Sequence, residues 1–520
     1  MRKTLSLVLG LAALAWFLIR VIPKPSRAAY PCQRAAFPLA SGFVIWLAGL
    51  FCLKRLHRRA VTMARRSPYA IGGLAVALVV LAAWLPLGVT SDAIGQGRGA
   101  TAEPFRPSEP PNTPMGEGKG IHPGRVAWVR DPDATSWDGV NGKWWDDAHT
   151  DAAVVDGMTS TVLQSLTGEK SDKQAWDALF RHFNRTRQLG NSAYRRGEKI
   201  AIKINANQDR SAEWGTGGRP LNGLPSPQVV SSLVAQLITL AGVPGEDITI
   251  YEVAGGRNIG PPIYSRIRSG PQSGFQAVRF VVGEDFGLGG RVAPIADDGN
   301  PVRFSLSGTP VAYLPKQVTE AKYMINLALL RPHGMAGVTL IGKNHFGSLY
   351  FPKDGGWTPR PLHNLVMRTQ AMGSYNPLVD LLGHRHLGGK TLLFLLDGLY
   401  SAEHNEGNVM RFASFGNDWA SSLLASQDPV ALDSVGVDIL RNEPNATQVR
   451  GNVDNYLHEA ALAAKPPSGI AYDPDGSGKR LASLGVHEHW NNAAERKYSR
   501  NLGRQEGIEL SATLRNGAGK

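Results

Sequence analysis

Hydrophobic and polar positions alternate with two different periods in the middle of the chain. Lys199–Ile204 alternates with a period of two, which predicts a β-strand. A helical period begins at Ser226 and ends at Gly242, since Ser can cap a helix and Gly commonly terminates one. The apolar face of this helix consists of Val229, Val230, Leu233, Leu237 and Ile238. Asp247–Val253 predicts the next strand, and a strand–helix–strand unit of this size predicts a right-handed parallel crossover.

Further apolar runs extend the same pattern along the chain. Three of them predict strands: Val278–Val282, Tyr323–Leu329 and Thr391–Leu396. Three others predict helices: Ala152–Leu166, Ser421–Leu440 and Val453–Ala464. Together they predict an α/β fold with a mostly parallel sheet and flanking helices, preceded by N-terminal transmembrane helices.

The first ninety residues have the composition of a membrane anchor with two to three transmembrane helices. Its apolar stretches are Leu5–Ile19, Phe37–Leu53 and Tyr69–Val89, and the last is uncharged over the length that a spanning helix needs. A cleaved signal peptide is the alternative for the first stretch. We favour its retention, because no small-residue cleavage site stands near its end.

Charge predicts how the anchor is oriented. The net charge of the chain is +13, but twelve Lys and Arg and no acidic residue precede Pro68. The remainder is close to neutral, which argues against a nucleic-acid partner. The basic link 54–66 predicts a cytoplasmic loop by the positive-inside rule. We therefore expect a bacterial inner-membrane protein that contacts the lipid bilayer, with its soluble domain on the periplasmic, extracytoplasmic side.

Composition also divides the chain into five segments. A Gly-, Pro-, Ser- and Thr-rich stretch follows the anchor, and strand–helix alternation begins only near residue 199. The predicted segments are a membrane anchor (1–90), a flexible linker (91–122), a peripheral and partly helical region (123–198), an α/β core domain (199–495) and a C-terminal tail (496–520).

Cysteine usage limits the cofactors. Cys32 and Cys52 are the only cysteines, and both lie in the predicted anchor. Because iron–sulfur clusters are held mainly by thiolates, such a cluster is unlikely in the soluble part. The cofactor is otherwise unknown, and a divalent metal is possible.

Polar side chains collect where the predicted strands end. In open α/β sheets ligands bind beyond the carboxyl ends of the strands, so these side chains predict one pocket. The candidates are Lys203, Asn205, Arg257, Arg331, His333, Lys343, Asn344 and Asp397. His333 suits proton transfer, since its ordinary pKa lies near neutrality, and Arg331 and Lys343 suit a small anionic ligand. Asp428 and Asp433 could orient a His or bind a cation, or could form the start of a helix.

Several short motifs together resemble one family. They are Ile202-Lys203-Ile204-Asn205, Arg331-x-His333, Gly342-Lys343-Asn344-x-x-Gly347, Leu396-Asp397-Gly398 and Asp428-Pro429-Val430-Ala431-Leu432-Asp433. Their order resembles the family known as domain of unknown function 362, and Leu484–Asn492 resembles its membrane-anchored bacterial branch. Many relatives carry a ferredoxin-like cysteine insert that this chain lacks, so the resemblance does not imply electron transfer.

A more distant resemblance concerns mechanism. Gly242–Ile250, Pro332-His333 and Lys343 are similar to segments of the nickel-pincer lactate racemase family. That resemblance implies an acid–base role for His333 and a cofactor-tethering role for Lys343. Gly256 and Arg257 stand where that family has a second catalytic His, so the resemblance extends to the fold more readily than to the reaction.

Histidines are concentrated late in the chain and include candidate metal ligands. Imidazole binds zinc, nickel and iron, although no closed zinc motif is present. The candidates are His363, His384, His386, His487 and His489. The two i, i+2 pairs among them would place both rings on one face of a strand. A structural histidine–carboxylate turn is the alternative for His487 and His489.

The combined pattern predicts an enzyme of proton-transfer or lyase type acting on a small anionic substrate at the cell envelope. In this prediction His333 is the base, with Lys343 and Asp397 beside it as catalytic groups. Lys203, Asn205, Arg257, Arg331 and Asn344 bind the substrate. The alternative is a non-catalytic protein that binds an anionic ligand in the same pocket.

Overall fold

Apolar runs with no polar face form the strands of one central sheet. In the computed structural model, the described residues are 109–207, 224–255, 259–271, 273–283, 290–353 and 355–515. The eight strands are β1 (Arg125–Arg130), β2 (Ile200–Ile204), β3 (Ile248–Glu252), β4 (Arg279–Val282), β5 (Tyr323–Leu329), β6 (Thr391–Gly398), β7 (Ser422–Ser426) and β8 (Glu509–Leu514). Every residue of β5 is buried, as expected of a strand covered on both faces.

The sheet is almost entirely parallel. Its order is β8-β1-β7-β6-β5-β2-β3-β4. Only β7 runs against its neighbours β1 and β6, and every other adjacent pair is parallel. The predicted α/β fold with a mostly parallel sheet and flanking helices is therefore confirmed.

Helices cover both faces of this sheet. They are α1 (Ala152–Thr167), α2 (Asp172–Thr186), α3 (Pro227–Ala235), α4 (Pro261–Arg268), α5 (Lys316–Thr319), α6 (Ile341–Asn344), α7 (Pro377–Gly383), α8 (Pro429–Arg441) and α9 (Asn455–Ala461). A π-helical turn, Gln236–Leu240, extends α3. Alternate residues of β2 enter different cores: Ile200, Ile202 and Ile204 pack with helices α1 to α4, and Ala201 packs with α7 to α9.

One predicted helix was wrong at its start. Ser421–Leu440 was predicted to be helical throughout, but Ser422–Ser426 is strand β7 and the helix begins at Pro429. A short apolar run that is buried on both sides has no period that separates a strand from a helix. The predicted helix Val453–Ala464 is shorter than expected and spans α9.

The central sheet also includes strands from segments that the sequence analysis placed outside the core domain. β1 lies in the region predicted to be peripheral, and β8 lies in the predicted tail. In the predicted linker, Met115–Gly116 pairs with Val486–His487. β1 and β8 have six residues each, and they pair with strands whose residues lie far away along the chain or with each other.

The predicted membrane anchor lies outside the described residues. Within the part of the chain that the structure describes, no helix has both the length and the apolar character needed to cross a bilayer. The described residues all belong to one unit, 104–520.

Asp428 connects three separate segments of this unit. Its Oδ1 caps α8 by accepting from the backbone N–H groups of Val430 and Ala431, at 3.1 and 2.9 Å. Its Oδ2 accepts from the N–H groups of Lys119 and Val486, at 2.9 and 3.1 Å. The side chain is fully buried, so its loss would leave four buried donors without this partner.

We predict that Asp428→Ala lowers the free energy of unfolding by about 3 kcal/mol, combining the loss of a helix cap with unsatisfied buried N–H groups. The matched control is Asp151→Ala, because exposed Asp151 caps α1 through two N–H groups only. That change should cost about 1 kcal/mol. Urea denaturation followed by tryptophan fluorescence measures both, and equal losses would contradict the role of the Lys119 and Val486 contacts.

Candidate functional site

Four neighbouring parallel strands, β6, β5, β2 and β3, have their carboxyl ends at one edge of the sheet. A cavity of about 300 Å³ lies at this edge, and we name it the strand-end cavity. Its lining includes Asn205, Glu252, Arg331, His333, Lys343 and Asn344. The structure thus brings together five of the side chains that the sequence analysis selected, and adds Glu252.

Lys203 lies behind the cavity wall. Its fully buried ammonium donates to Glu252 Oε2 at 3.2 Å, to Asn344 Oδ1 at 3.3 Å and to the carbonyl of Ile204 at 2.5 Å. Glu252 is also buried, so the pair keeps its charges only because each is hydrogen-bonded. Lys203 therefore positions the Glu252 carboxylate and the Asn344 amide.

A second buried polar layer supports Asn344. Its Nδ2 donates to Asn326 Oδ1 at 2.7 Å and to the carbonyl of Leu327 at 3.2 Å. Asn326 lies on β5, and its Nδ2 is 3.1 Å from Nε2 of His345. Burial, together with the charge of Lys203, lowers the pKa of His345 to about 3, so this ring is neutral. These side chains hold the turn that contains Asn344 and His345, which follows the Gly-rich loop at residues 331–339.

The Gly-rich loop itself is a small hairpin followed by helix α6. Arg331–His333 pairs with Gly337–Thr339, and Gly337 has a φ of +86°, which only glycine adopts readily. Helix α6 is anchored from below by Asp433, which accepts from the N–H groups of Ile341 and Gly342 at 2.8 and 3.0 Å. Burial raises the pKa of Asp433 to about 7. Asp433 thus supports the loop and is not a cavity side chain.

His333 has a defined tautomer in this hairpin. Its Nδ1 accepts from the backbone N–H groups of Met335 and Ala336, at 3.1 and 3.2 Å. Burial, and then the charges of Lys343 and Arg331, lower the pKa of His333 well below 6.5. The ring is therefore neutral at pH 7, with its proton on Nε2.

This tautomer bears on the predicted role of His333 as a general base, which remains a prediction. A base would need a lone pair on the nitrogen that faces a substrate, and here the lone pair belongs to Nδ1, which the backbone occupies. Nε2–H is instead a hydrogen-bond donor. A neutral donor of this kind stabilises an oxygen on which negative charge develops.

Two cationic side chains, Arg331 and Lys343, line the cavity. Arg331 is almost fully buried, and one of its terminal nitrogens is 3.4 Å from Asn205 Oδ1. The Lys343 ammonium lies 4.0 Å from the centroid of the Phe346 ring, in a cation–π contact. With His333, these side chains give the cavity a cluster of donors suited to an anion.

Asp397, a predicted catalytic residue, is not among the described residues that line the cavity. Asp397 is buried at the end of β6, where its carboxylate accepts from the N–H groups of Ser226 and Leu399 at 2.6 and 3.0 Å. Burial raises its pKa to about 6. Asp397 thus ties the start of α3 to β6, and Arg257 lies outside the described residues.

Three predicted metal candidates occupy other environments. His363 lines the strand-end cavity. His384 follows the last residue of α7 and His386 lies two residues later, so neither is on a strand. The prediction that both rings lie on one face of a strand was therefore wrong. His384 contacts the carbonyl of Pro301 and His386 contacts Asn300, and burial lowers both pKa values to about 4. Both rings therefore act as structural hydrogen-bonding groups.

The remaining pair belongs to a cluster on the far side of α9. His487 and His489 face Glu109 with their Nε2 atoms, at 3.4 and 3.1 Å from its Oε1. His458, from α9, reaches the same oxygen at 2.9 Å. We name these four residues the histidine cluster. The Glu109, His487 and His489 atoms lie within 4.8 Å of one another, close enough to ligate one metal ion.

Sequence reasoning missed three of these functional candidates. Glu252 is a carboxylate at the carboxyl end of a buried strand, and this position could have predicted that it lies at the ligand-binding edge of the sheet. His458 was noted only as one of the late histidines. Glu109 lies 378 residues before His487 in the chain, so no spacing could connect them.

Comparison with known proteins gives one assignment. No curated protein matches the chain significantly. Residues 200–438 contain strands β2 to β7 and most of α8. They also include the described residues that line the strand-end cavity, from Asn205 to Glu406. Residues 200–438, a little under half of the chain, match the family model described as Domain of unknown function (DUF362).

Proposed function

We propose that this protein is an enzyme that binds a small anionic substrate in the strand-end cavity and transfers a proton to or from it. The observation that carries the proposal is the convergence of Arg331, Lys343 and the Nε2–H of His333 on one cavity beside the buried carboxylate of Glu252. A cavity of about 300 Å³ suits a small metabolite.

Positive charge supports an anionic substrate. Arg331 and Lys343 are both buried lining residues, and the low dielectric around them strengthens their attraction for a carboxylate or phosphate. Arg331 suits a planar carboxylate because its guanidinium can donate two parallel hydrogen bonds. The substrate class proposed is therefore a short carboxylate.

Glu252 supports the proton-transfer step. It is the buried carboxylate among the described lining residues, since Glu406 is exposed. In the proposed step Glu252 accepts a proton from the carbon next to the substrate carboxylate or carbonyl. The electrons of the broken C–H bond move onto the substrate oxygen, which the Nε2–H of His333 stabilises.

The second candidate function is anion binding without chemistry. It is favoured by the saturation of the Glu252 carboxylate, which accepts from Lys203 and Ala206 through Oε2 and from Ala254 through Oε1. A carboxylate that already accepts several hydrogen bonds is a weaker base. Proton exchange and anion binding must therefore be measured separately.

The proposed cellular setting rests on sequence alone. We propose that residues 1–90 anchor the protein in a bacterial inner membrane, with the α/β domain on the extracytoplasmic side. The support is the three apolar stretches and the basic link 54–66, which lie outside the described residues.

The first test follows proton exchange without requiring a known product. A panel of short 2-hydroxy and 2-oxo acids is incubated with the full chain in D2O, and proton NMR records loss of the C–H signal. We expect Glu252→Gln to lower the exchange rate by about 10²- to 10⁴-fold. The matched control is Glu443→Gln, a buried carboxylate that accepts backbone N–H groups of Ala413 and Ser414 elsewhere. Anion binding by the unaltered protein with no exchange of any panel member would favour the second candidate.

The second test concerns His333. We expect His333→Ala to lower the exchange rate by about 10²- to 10³-fold, as for loss of one donor to a developing oxyanion. The matched control is His384→Ala, since buried His384 also accepts a backbone N–H on Nδ1. Because the pKa of His333 is well below 6.5, its protonation should produce no step in the rate between about pH 6 and 8. A step in that interval that disappears in His333→Ala would refute the neutral-donor role.

The third test measures the anion site by itself, with oxalate as the probe and calorimetry as the readout. Lys343→Gln should weaken oxalate binding about 10- to 100-fold, the value of a charge-assisted hydrogen bond. The control is Lys199→Gln, which removes one positive charge from an exposed pair with Glu320. Equal affinity in the two variants would remove Lys343 from the anion site.

A further inference from the structure

We propose that the histidine cluster is a zinc site, in which Glu109, His487 and His489 supply the ligands and His458 holds the Glu109 carboxylate. The site lies apart from the strand-end cavity and does not depend on the proposed function. It would fasten the segment that contains Glu109 to the core of the domain.

The spacing of the ligand atoms fits one ion. Zinc bonds to imidazole nitrogen and carboxylate oxygen are about 2.0–2.2 Å long, so two ligands of a tetrahedral ion lie about 3.4 Å apart. The Nε2 atoms of His458, His489 and His487 lie 2.9, 3.1 and 3.4 Å from Glu109 Oε1. Three imidazole nitrogens thus surround one carboxylate oxygen at ligand-to-ligand distances.

The hydrogen bonds of His487 fix its tautomer. The Ser434 hydroxyl donates its one hydrogen to the carbonyl of Val430, at 2.7 Å. It must therefore accept from the Nδ1–H of His487, which lies 2.8 Å away. In the neutral ring the lone pair is then on Nε2, and it points toward Glu109.

His489 is fixed in the same way by a carboxylate. Its Nδ1 is 2.6 Å from Asp438 Oδ1, and an ionised carboxylate can only accept. Asp438 is held in turn by the hydroxyl of Tyr498 and the N–H of Trp490, at 2.9 and 3.1 Å. A histidine that donates its second nitrogen to a held carboxylate is the usual arrangement behind a metal ligand.

These tautomers create a requirement for positive charge. In neutral His487 an Nε2 lone pair faces the Glu109 oxygen, and two acceptors at this distance repel one another unless a proton or a metal ion lies between them. Asp454 adds a second indication: it is buried, its Oδ2 lies 3.9 Å from His489 Nε2, and its Oδ1 has no hydrogen-bond partner among the described residues. With Glu109 and Asp438, three carboxylates surround the cluster, and Arg441 pairs with Asp454. A divalent cation balances the rest.

The donor set selects the metal and the role. Imidazole suits zinc and other first-row transition metals, whereas calcium and magnesium prefer oxygen ligands. Glu109, His487 and His489 are largely buried, and all three offer nitrogen or oxygen ligands of the kind that zinc accepts. Such a site would join Glu109 to residues almost 380 positions later, which stabilises the fold wherever the metal is bound.

The test is metal analysis of the full chain, produced without a polyhistidine tag and purified without chelators. We expect about one zinc per chain. Chelation should lower the melting temperature, and zinc should restore it while calcium and magnesium do not. Cobalt(II) added to the chelated protein should give the visible absorption of a tetrahedral nitrogen- and oxygen-ligated ion. Protein that contains no zinc, takes up none and gives no such cobalt spectrum would overturn the proposal, since protons would then balance the cluster.

Variants separate ligation from folding. His489→Gln and Glu109→Gln should each lose the metal. The matched control His386→Gln should retain it, because His386 lies outside the cluster and its Nε2 contacts Asn300. Asp438→Asn should weaken zinc binding by about 10- to 100-fold while circular dichroism stays unchanged, as expected for a positioning residue. Full zinc occupancy and unchanged affinity in both ligand variants would refute this ligand set, and so would equal loss in His386→Gln.

Discussion

The buried polar side chains of helix α8 hold the parts of the structure on which both sites are built. Their partners beyond the helix are backbone N–H groups, imidazole nitrogens and tyrosine hydroxyls from separate segments of the chain. Twelve of the thirteen helix residues are buried, so these contacts form deep in the core. The side chains are Asp428 at the N-cap, Asp433, Ser434 and Asp438.

Burial makes these contacts consequential. A carboxylate in the protein interior is stable only if hydrogen-bond donors replace its water, and removing either partner leaves a polar group unsatisfied. Asp433 meets this condition with two N–H groups of α6 and the hydroxyl of Tyr456. Since α6 carries Lys343 and Asn344, the requirement of one buried carboxyl group positions two cavity residues.

The sequence predicted those parts of the fold that have a local period. β2, β3 and β5 alternate or form long apolar runs, and their positions were predicted within one or two residues. β7 was predicted as helix because five buried residues between turns carry no period of their own. β1 and β8 were not predicted, because a strand at the far side of a sheet gains its stability from partners distant in the chain.

The candidate site divides in the same way. Residues that follow predicted strands, such as Asn205 and Arg331, were selected correctly as neighbours because parallel strands end at one edge. The role of His333 could not be predicted, since it depends on which ring nitrogen the backbone occupies. Glu109 and His458 could not be joined to His487 and His489, since that cluster exists only after the chain has folded.

Helix α9 connects the two sites physically. It presents Tyr456 to Asp433, which anchors α6, and His458 to Glu109 in the histidine cluster. These two residues are separated by one position on a helix of seven, so a shift of α9 moves both. A bound zinc ion would hold Glu109, and through its contact with His458 also α9, and the Tyr456 hydroxyl would then meet Asp433 in a fixed place. The position of Lys343 in the strand-end cavity would in this way depend on a metal that never contacts the substrate, through two hydrogen-bonded side chains and one short helix.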